Sequence, residues 1–142
     1  MTVEAIHLGA TRTPALWAVE SVRAVAGKGL EGDRHFHEEA KPGQALTLVE
    51  AEVVEEAGLP PGALRRQVTV RNVNLNDLVG KRFRVGEVEC YGVALCEPCA
   101  HLEAMTRPGI VKELVHRAGL NADVLTDGTI FVGDEVVALG HQ

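Results

Sequence analysis

Phe83-Arg84-Val85-Gly86-Glu87-Val88-Glu89-Cys90 alternates apolar and polar residues on both sides of a glycine. Successive strand side chains point to opposite faces, so this period of two predicts two strands returning on each other near Gly86. A second run, Phe131-Val132-Gly133-Asp134-Glu135, is a weak echo of it, extended residues that again turn at glycine. Two sharp returns of this kind suit a small barrel. Outward from them, strand patterns fall at residues 3–7, 19–26, 45–48, 68–70, 122–125, 129–132 and 135–139. Gly27 to Asp33, Asp127-Gly128 and Gly133-Asp134 supply the turns.

Helical spacing is rarer. Thr47 and Glu50 have the spacing of a capping box, and Val49, Val53, Val54 and Ala57 follow at helical intervals until Gly58, Pro60 and Pro61. This reading puts Glu50, Glu52, Glu55 and Glu56 on a solvated face or in the first turns, where the helix dipole favours them. Residues 75–79 read as a helical turn closed by Gly80, and residues 110–118 as an amphipathic helix stopped by Gly119. Without regular strand–helix alternation, a doubly wound sheet is excluded. The predicted fold is mostly β, a small closed or partly closed barrel with two or more short flanking helices.

A chain of 142 residues fits one domain, 1–142, and at this size buries about two-thirds of its extended surface. Hydrophobic residues at 46% and charged residues at 24% exclude disorder, while 4% aromatics leave the core to Val, Leu, Ile and Ala. A net charge of -6 opposes nucleic acid and anionic lipid. No apolar run approaches the roughly 18 residues of a membrane span, and the start, with Glu4, lacks the pattern of a secretory signal. The expected location is cytoplasmic. Cys90, Cys96 and Cys99 are too few and too clustered for a disulfide framework. Cys90, in Val88-Glu89-Cys90, reads as a small buried hydrophobe.

Chemistry concentrates in Cys96-Glu97-Pro98-Cys99-Ala100-His101. Pro98 suits the first turn of a helix running through His101, Leu102 and Met105, where free backbone N–H groups would favour the Cys99 thiolate. The competing readings are a buried inert thiol, a redox Cys-x-x-Cys without its usual strand–helix setting, and half a zinc site completed by His101, His35 or His37. Gly29-Leu30-Glu31-Gly32-Asp33-Arg34-His35 is a tight polar turn. In it Gly32 permits close approach, Asp33 can order neighbouring N–H groups, and Arg34 or His35 can face an anion or move protons. It is neither a dinucleotide fingerprint nor a P-loop. Arg65, Arg66, Arg71, Lys81, Arg82 and Arg84 suggest an anion-binding face, with Gln67, Asn72 and Asn74 as neutral contacts. Arg82 and Arg84 share a parity that also suits the outer face of a strand.

Taken in order, these pieces resemble the MOSC domain, named for the C-terminal domain of molybdenum cofactor sulfurase. The resemblance rests on residues 29–35, Leu46-Thr47-Leu48-Val49-Glu50-Ala51-Glu52, Arg65-Arg66-Gln67-Val68-Thr69, residues 75–86, Pro98-Cys99, Asp127-Gly128 and Val132-Gly133-Asp134. It implies a β-rich, barrel-like fold and a sulfur-holding cysteine at Cys99. Work related to molybdopterin, or to detoxifying reduced nitrogen compounds, is implied with it. Gly32, Asp33, His35 and Arg66 then become candidate pocket residues beside Cys99. Gln67 stands where relatives usually carry asparagine, and Cys96 matches no essential position.

The resulting expectation is sulfur transfer through a Cys99 persulfide. His35 and Asp33 assist, and Gly32, Arg66, Gln67, Arg71 and Asn72 bind a molybdopterin-type cofactor or its anionic pterin phosphate. The alternatives are a molybdenum-cofactor component acting on N-oxygenated compounds, with Cys99 as a direct metal ligand, and a non-catalytic binding module. A cysteine desulfurase or a molybdoenzyme is the expected partner. Pyridoxal phosphate, attached to the family through a fused desulfurase domain, is not expected within this chain.

Overall fold

A computed structural model describes residues 1–9, 16–34, 36–97 and 106–141. The strands are β1 (Thr2–Leu8), β2 (Trp17–Val19), β3 (Ser21–Val25), β4 (Gly29–Leu30), β5 (Leu46–Glu50), β6 (Val68–Arg71), β7 (Lys81–Val85), β8 (Val88–Leu95), β9 (Leu120–Val124), β10 (Gly128–Phe131) and β11 (Val136–His141). Helices α1 (Ala51–Glu56) and α2 (Ile110–Leu114) and a 3-10 turn, Leu75–Leu78, accompany them. Among the described residues, eight strands run in the order β11-β7-β8-β9-β5-β6-β1-β2, and β10-β3-β4 form a small second sheet. The large sheet is an open, strongly curled half-barrel, as the strand pattern predicted.

Each alternating strand buries one face. Phe83 and Val85 of β7 and Val88 and Cys90 of β8 are fully enclosed, whereas Arg82 and Arg84 lie on the other face. The two echoing turns meet in space: Gly86 N donates to Glu135 O at 2.8 Å, and a Cβ on Gly86 would collide with the Asp134 side chain. Their phenylalanines are not equivalent, since Phe83 is in the core and Phe131 is exposed. The curl brings the first strand back to the last. Val3 N donates to Asp134 O, Gly133 N to Val3 O and Val136 N to Met1 O.

Three local readings are corrected. The run 19–26 breaks at Glu20, because β2 pairs with β1 in the large sheet whereas β3 pairs with β10 in the small one. Thr47 does not cap α1: Glu50 is the N-cap without a side-chain bond, and Thr47 lies inside β5. The helix predicted over 110–118 stops at Leu114, and Val115 leaves the helical conformation before His116 takes φ 62°. The other end of α1 behaves as read. Gly58 N donates to Glu55 O and Leu59 N to Val54 O, with Gly58 at φ 72°, a Schellman closure.

Helix α1 is the crossover between the parallel strands β5 and β6. Together with α2 it covers the convex face in a second cluster, in which Val49 of β5 meets Val53, Val54, Leu64, Ile110, Leu114 and Ala118. Glu50 and Glu52 are not simply solvated: they accept from Leu75 N at 3.1 Å and Asn72 N at 2.8 Å and so anchor the loop after β6. Burial raises the Glu50 pKa. Glu55 and Glu56 are exposed, as expected, and pair with Arg71 and Arg117.

Gly92 in β8 has no unusual turn to make; it lets the 3-10 turn approach. Its carbonyl accepts from Gly80 N at 2.8 Å, and a Cβ there would overlap the Leu78 carbonyl oxygen. Gly92→Ala should therefore lower unfolding free energy by about 2–3 kcal/mol, the cost of overpacking against backbone. Chemical denaturation would read it as a lower midpoint with an unchanged slope.

Candidate functional site

Three strands align one residue each on the convex face. Backbone register puts His7 of β1 beside Gln67, just before β6, and Gln67 beside Thr47 of β5. His7 N donates to Gln67 O at 2.7 Å. Gln67 N donates to Thr47 Oγ1 at 3.0 Å, and Thr47 N donates to Gln67 Oε1 at 2.9 Å. Thr47 thus spends its side chain on a neighbouring strand rather than on a helix start.

Asp33 closes this row. It is 7% exposed, with Oδ2 accepting from Gln67 Nε2 at 2.8 Å and Oδ1 from Gly9 N at 2.9 Å. The adjacent Arg34 N donates to Gly9 O at 2.7 Å. A buried carboxylate held by two donors is far cheaper than an unpaired one, so the loop after β4 is fastened to the end of β1 and the start of β6. Gly32 takes φ 88°, which suits its glycine.

The same run, Arg65-Arg66-Gln67, reaches toward the segment that carries Cys99. Arg66 Nε donates to Ala118 O at 2.9 Å, and Cys96 N donates to the next carbonyl, Gly119 O, at 2.8 Å. Glu97 then accepts from His116 N at 2.7 Å and pairs with its Nδ1 at 2.6 Å. The His116 backbone N–H, more than its ring, lowers the Glu97 pKa. At the other side, Thr106 lines a cleft of about 450 Å³ together with Arg65 and His7. The described residues on either side of the Cys99 segment thus both lie beside the arginine pair.

The predicted site residues therefore divide. Asp33, preceded by Gly32, meets Gln67, and Arg66, the residue before Gln67, reaches Ala118 O. Arg71 and Asn72 sit at the far end of β6, a separation of roughly 13 Å at strand rise. Arg71 pairs there with Glu4 and Glu55, which raise its pKa, and its hydrogen bond holds the Glu4 pKa down. Asn72, at φ 62°, donates its N–H to Glu52. Arg82 approaches Glu89 at 3.8 Å. Cys99, His35, Pro98, His101, Leu102 and Met105 lie outside the described residues, and with them the helix expected from Pro98 and two histidines of the zinc reading; the third, His37, donates its N–H to Lys28 O at 3.0 Å. Among the described residues no group of three His, Cys, Asp or Glu is placed to hold a metal, and no helix is long and apolar enough to cross a membrane. Cys90 is a buried thiol whose pKa burial raises, in keeping with a packing role; Cys96 is half-buried.

The pattern of strands, loop and arginine pair also matches a known family. The MOSC domain model matches residues 5–137. The chain belongs to the MOSC domain family. This family is associated with molybdenum cofactor sulfurase-like proteins and linked to molybdenum cofactor metabolism. No curated protein matches the chain. Among solved structures, the YUAD protein from Bacillus subtilis is similar at TM-score 0.80 and 19% identity, covering 100% of this chain and 98% of that one. YiiM from Geobacillus stearothermophilus has TM-score 0.74 and 20% identity, covering 97% of this chain and 74% of that one. For YiiM from Escherichia coli the values are 0.69 and 16%, over 100% and 71%. At these identities the likeness is one of fold.

Sequence reasoning passed over His7 in this MOSC domain and read Thr47 as a helix cap. A polar residue on an otherwise apolar strand was the available signal for His7. It is 9% exposed, its Nδ1 has no hydrogen-bond partner among the described residues, and burial lowers its pKa.

Two outcomes follow for the row. Asp33→Asn turns an amide N–H₂ toward donors that need an acceptor, which should cost about 1–3 kcal/mol in chemical denaturation. His7 takes up its proton less readily when folded than when unfolded. As pH falls through its ordinary value of 6.5, the unfolded state therefore gains protons first and stability declines. His7→Phe should flatten the pH dependence of the unfolding midpoint just below that value.

Proposed function

We propose that this MOSC domain carries or transfers sulfur through Cys99, in work tied to molybdenum cofactor metabolism. The observation that supports it most is the pair of anchors beside the Arg65-Arg66-Gln67 run: Cys96 N on Gly119 O with Arg66 on Ala118 O, and Thr106 in the cleft with Arg65. They bring both described ends of the cysteine segment to cations that suit an anionic acceptor.

In this reading the Cys99 thiolate attacks the outer sulfur of a donor persulfide, such as one on a cysteine desulfurase. The donor S–S bond breaks, the donor cysteine leaves as thiolate and takes up the proton, and Cys99 holds the persulfide. A nucleophilic acceptor then attacks the outer sulfur and Cys99 leaves as thiolate, so the exchange needs no outside oxidant or reductant. His35 moves the proton. Asp33 holds the loop that carries His35, and its bonds to Gly9 and Gln67 support that positioning role. Gly32 allows the loop its turn.

The residues also fit a molybdenum cofactor. Arg66 uses Nε on Ala118 O, and its terminal amino groups have no other partner among the described residues, the donors a pterin phosphate takes. Gln67 would add a neutral contact. Cys99 offers the soft sulfur that suits a molybdenum ligand. Such a cofactor, when bound, supplies oxygen-atom transfer, and N-oxygenated compounds are its substrates in this second reading. Arg71 and Asn72 take part only if the ligand reaches along β6 to its far end.

Intact mass after incubation with a cysteine desulfurase and cysteine tests the first reading. Wild type should gain one sulfur that reductant removes, and Cys99→Ser should gain none while its unfolding midpoint is unchanged. Equal loading of both proteins would remove Cys99 from the mechanism. Absence of any adduct, with thiols free, would favour cofactor binding or a non-catalytic module. Metal analysis after cofactor loading, with and without Cys99, separates those two.

A further inference from the structure

A second groove on the convex face, between α1, β1 and β6, serves neither sulfur transfer nor cofactor binding. Pro61 and Gly62 belong both to its wall and to that of the cleft lined by Arg65. Strand register builds the floor, where Ala5 of β1 lies beside Thr69 of β6. A bulge in β1 shapes it further. Val3 pairs with Val70 and Ala5 with Thr69, so Glu4 is the extra residue. Val3 and Ile6 both point into the core, which leaves the two residues between them, Glu4 and Ala5, to the groove. Bulges often re-aim a side chain beside a functional site. The small side chains of Ala5 and Ala51 keep the hollow open at about 240 Å³, room for about eight waters.

Thr69 is 8% exposed, and its hydroxyl has no hydrogen bond among the described residues. Unlike His7 Nδ1 it is not sealed from the surface, so a partner can reach it from the groove. A buried polar group of this kind nearly always has a partner. Arg71 follows Thr69 by two residues on the same face of β6, about 7 Å along the strand, and bonds both Glu4 and Glu55. Glu4 gives it both oxygens and Glu55 gives Oε2, so Glu55 Oε1 has no partner among the described residues. Two carboxylates on one guanidinium leave this rim net negative, which opposes an anion. The remaining wall is apolar, with Val54, Leu59 and Pro61. An ammonium has three donors and no acceptor, which suits a carboxylate oxygen and a hydroxyl at one end of an apolar groove. We propose that the groove binds a small primary amine as its ammonium ion. Glu55 Oε1 and Thr69 Oγ1 accept its N–H groups, and its apolar body rests against Val54, Leu59 and Pro61.

The test is a titration of the full chain with benzylamine near neutral pH, followed through the backbone amide signals of Ala51, Val54, Gly62 and Thr69. Benzyl alcohol is the neutral control of like shape, and benzoate the anionic one. Benzylamine should shift these signals saturably, benzyl alcohol should bind at least tenfold more weakly, and benzoate should not bind. Glu55→Gln removes the charge and should weaken benzylamine about tenfold. Thr69→Val keeps the shape, removes the hydroxyl and should weaken it several-fold. Chemical denaturation of both variants should show the fold intact. If Thr69→Val does not fold, Thr69→Ser should bind as wild type does and Thr69→Ala more weakly. Cys99→Ser should bind benzylamine as wild type does, so failure here and failure of sulfur transfer are separate results. Absence of saturation, equal binding of benzyl alcohol, or undiminished benzylamine affinity in Glu55→Gln or in the hydroxyl-free Thr69 variant would overturn the proposal.

Discussion

One buried carboxylate fastens the parts on which the site depends. Asp33 accepts from Gly9 N at the end of β1 and from the Gln67 amide at the start of β6, and Gln67 is in turn bound on both sides by Thr47 and His7. A charge taken out of water is tolerated only while its partners stay in place, so each member enforces the positions of the others. The loop after β4 could not hold this course on its own residues. It is placed by strands that are distant in sequence and adjacent in the sheet.

The sheet supplies the rest of the geometry through its two faces. Its concave side is an apolar interior from both sheets, including Phe83, Leu48 and Ile130. Its convex side is shared between helices and chemistry. α1 and α2 cover the β5 side with a second apolar cluster, and the Pro60–Arg65 segment leaves a cleft over His7. The β5–α1–β6 crossover explains the placement, because a parallel pair needs a covered connection and the chain returning from α1 must pass over the sheet before β6. Arg65 and Arg66 lie at the end of that return.

Strand alternation was legible wherever one face was buried, as in Phe83 to Cys90, since side-chain direction in a strand is local and has period two. The glycine turns at Gly86 and Gly58 were legible for a similar reason: a positive φ is a property of one residue. Errors arose where a short polar side chain had a choice of partners. Thr47 has the spacing of a cap but bonds across to Gln67, and Glu50 and Glu52 have the spacing of a solvated face but hold backbone N–H groups of the loop after β6. Local sequence records the bonding capacity of such groups and is silent on which neighbour the fold supplies. Helix α2 ends early because its chain turns at Val115 and His116, where Glu97 and Asn76 hold His116, and both lie far from it in sequence.

The sequence by itself determined a mostly β domain, the glycine-closed returns, the buried role of Cys90, and the loop and arginine motifs that resemble a MOSC domain. Hydrophobic period and single-residue torsions suffice for the first three, and ordered spacing for the last. Only the tertiary structure decided which of those motifs meet. Gln67, held beside Thr47 by strand register, meets Asp33, and its neighbour Arg66 reaches Ala118, whereas Arg71 and Asn72, just as basic or polar and only a few residues further on, are carried to the opposite end of the same strand. The physical reason is that an extended strand advances about 3.3 Å per residue, while a neighbouring strand lies under 5 Å away whatever its distance in sequence.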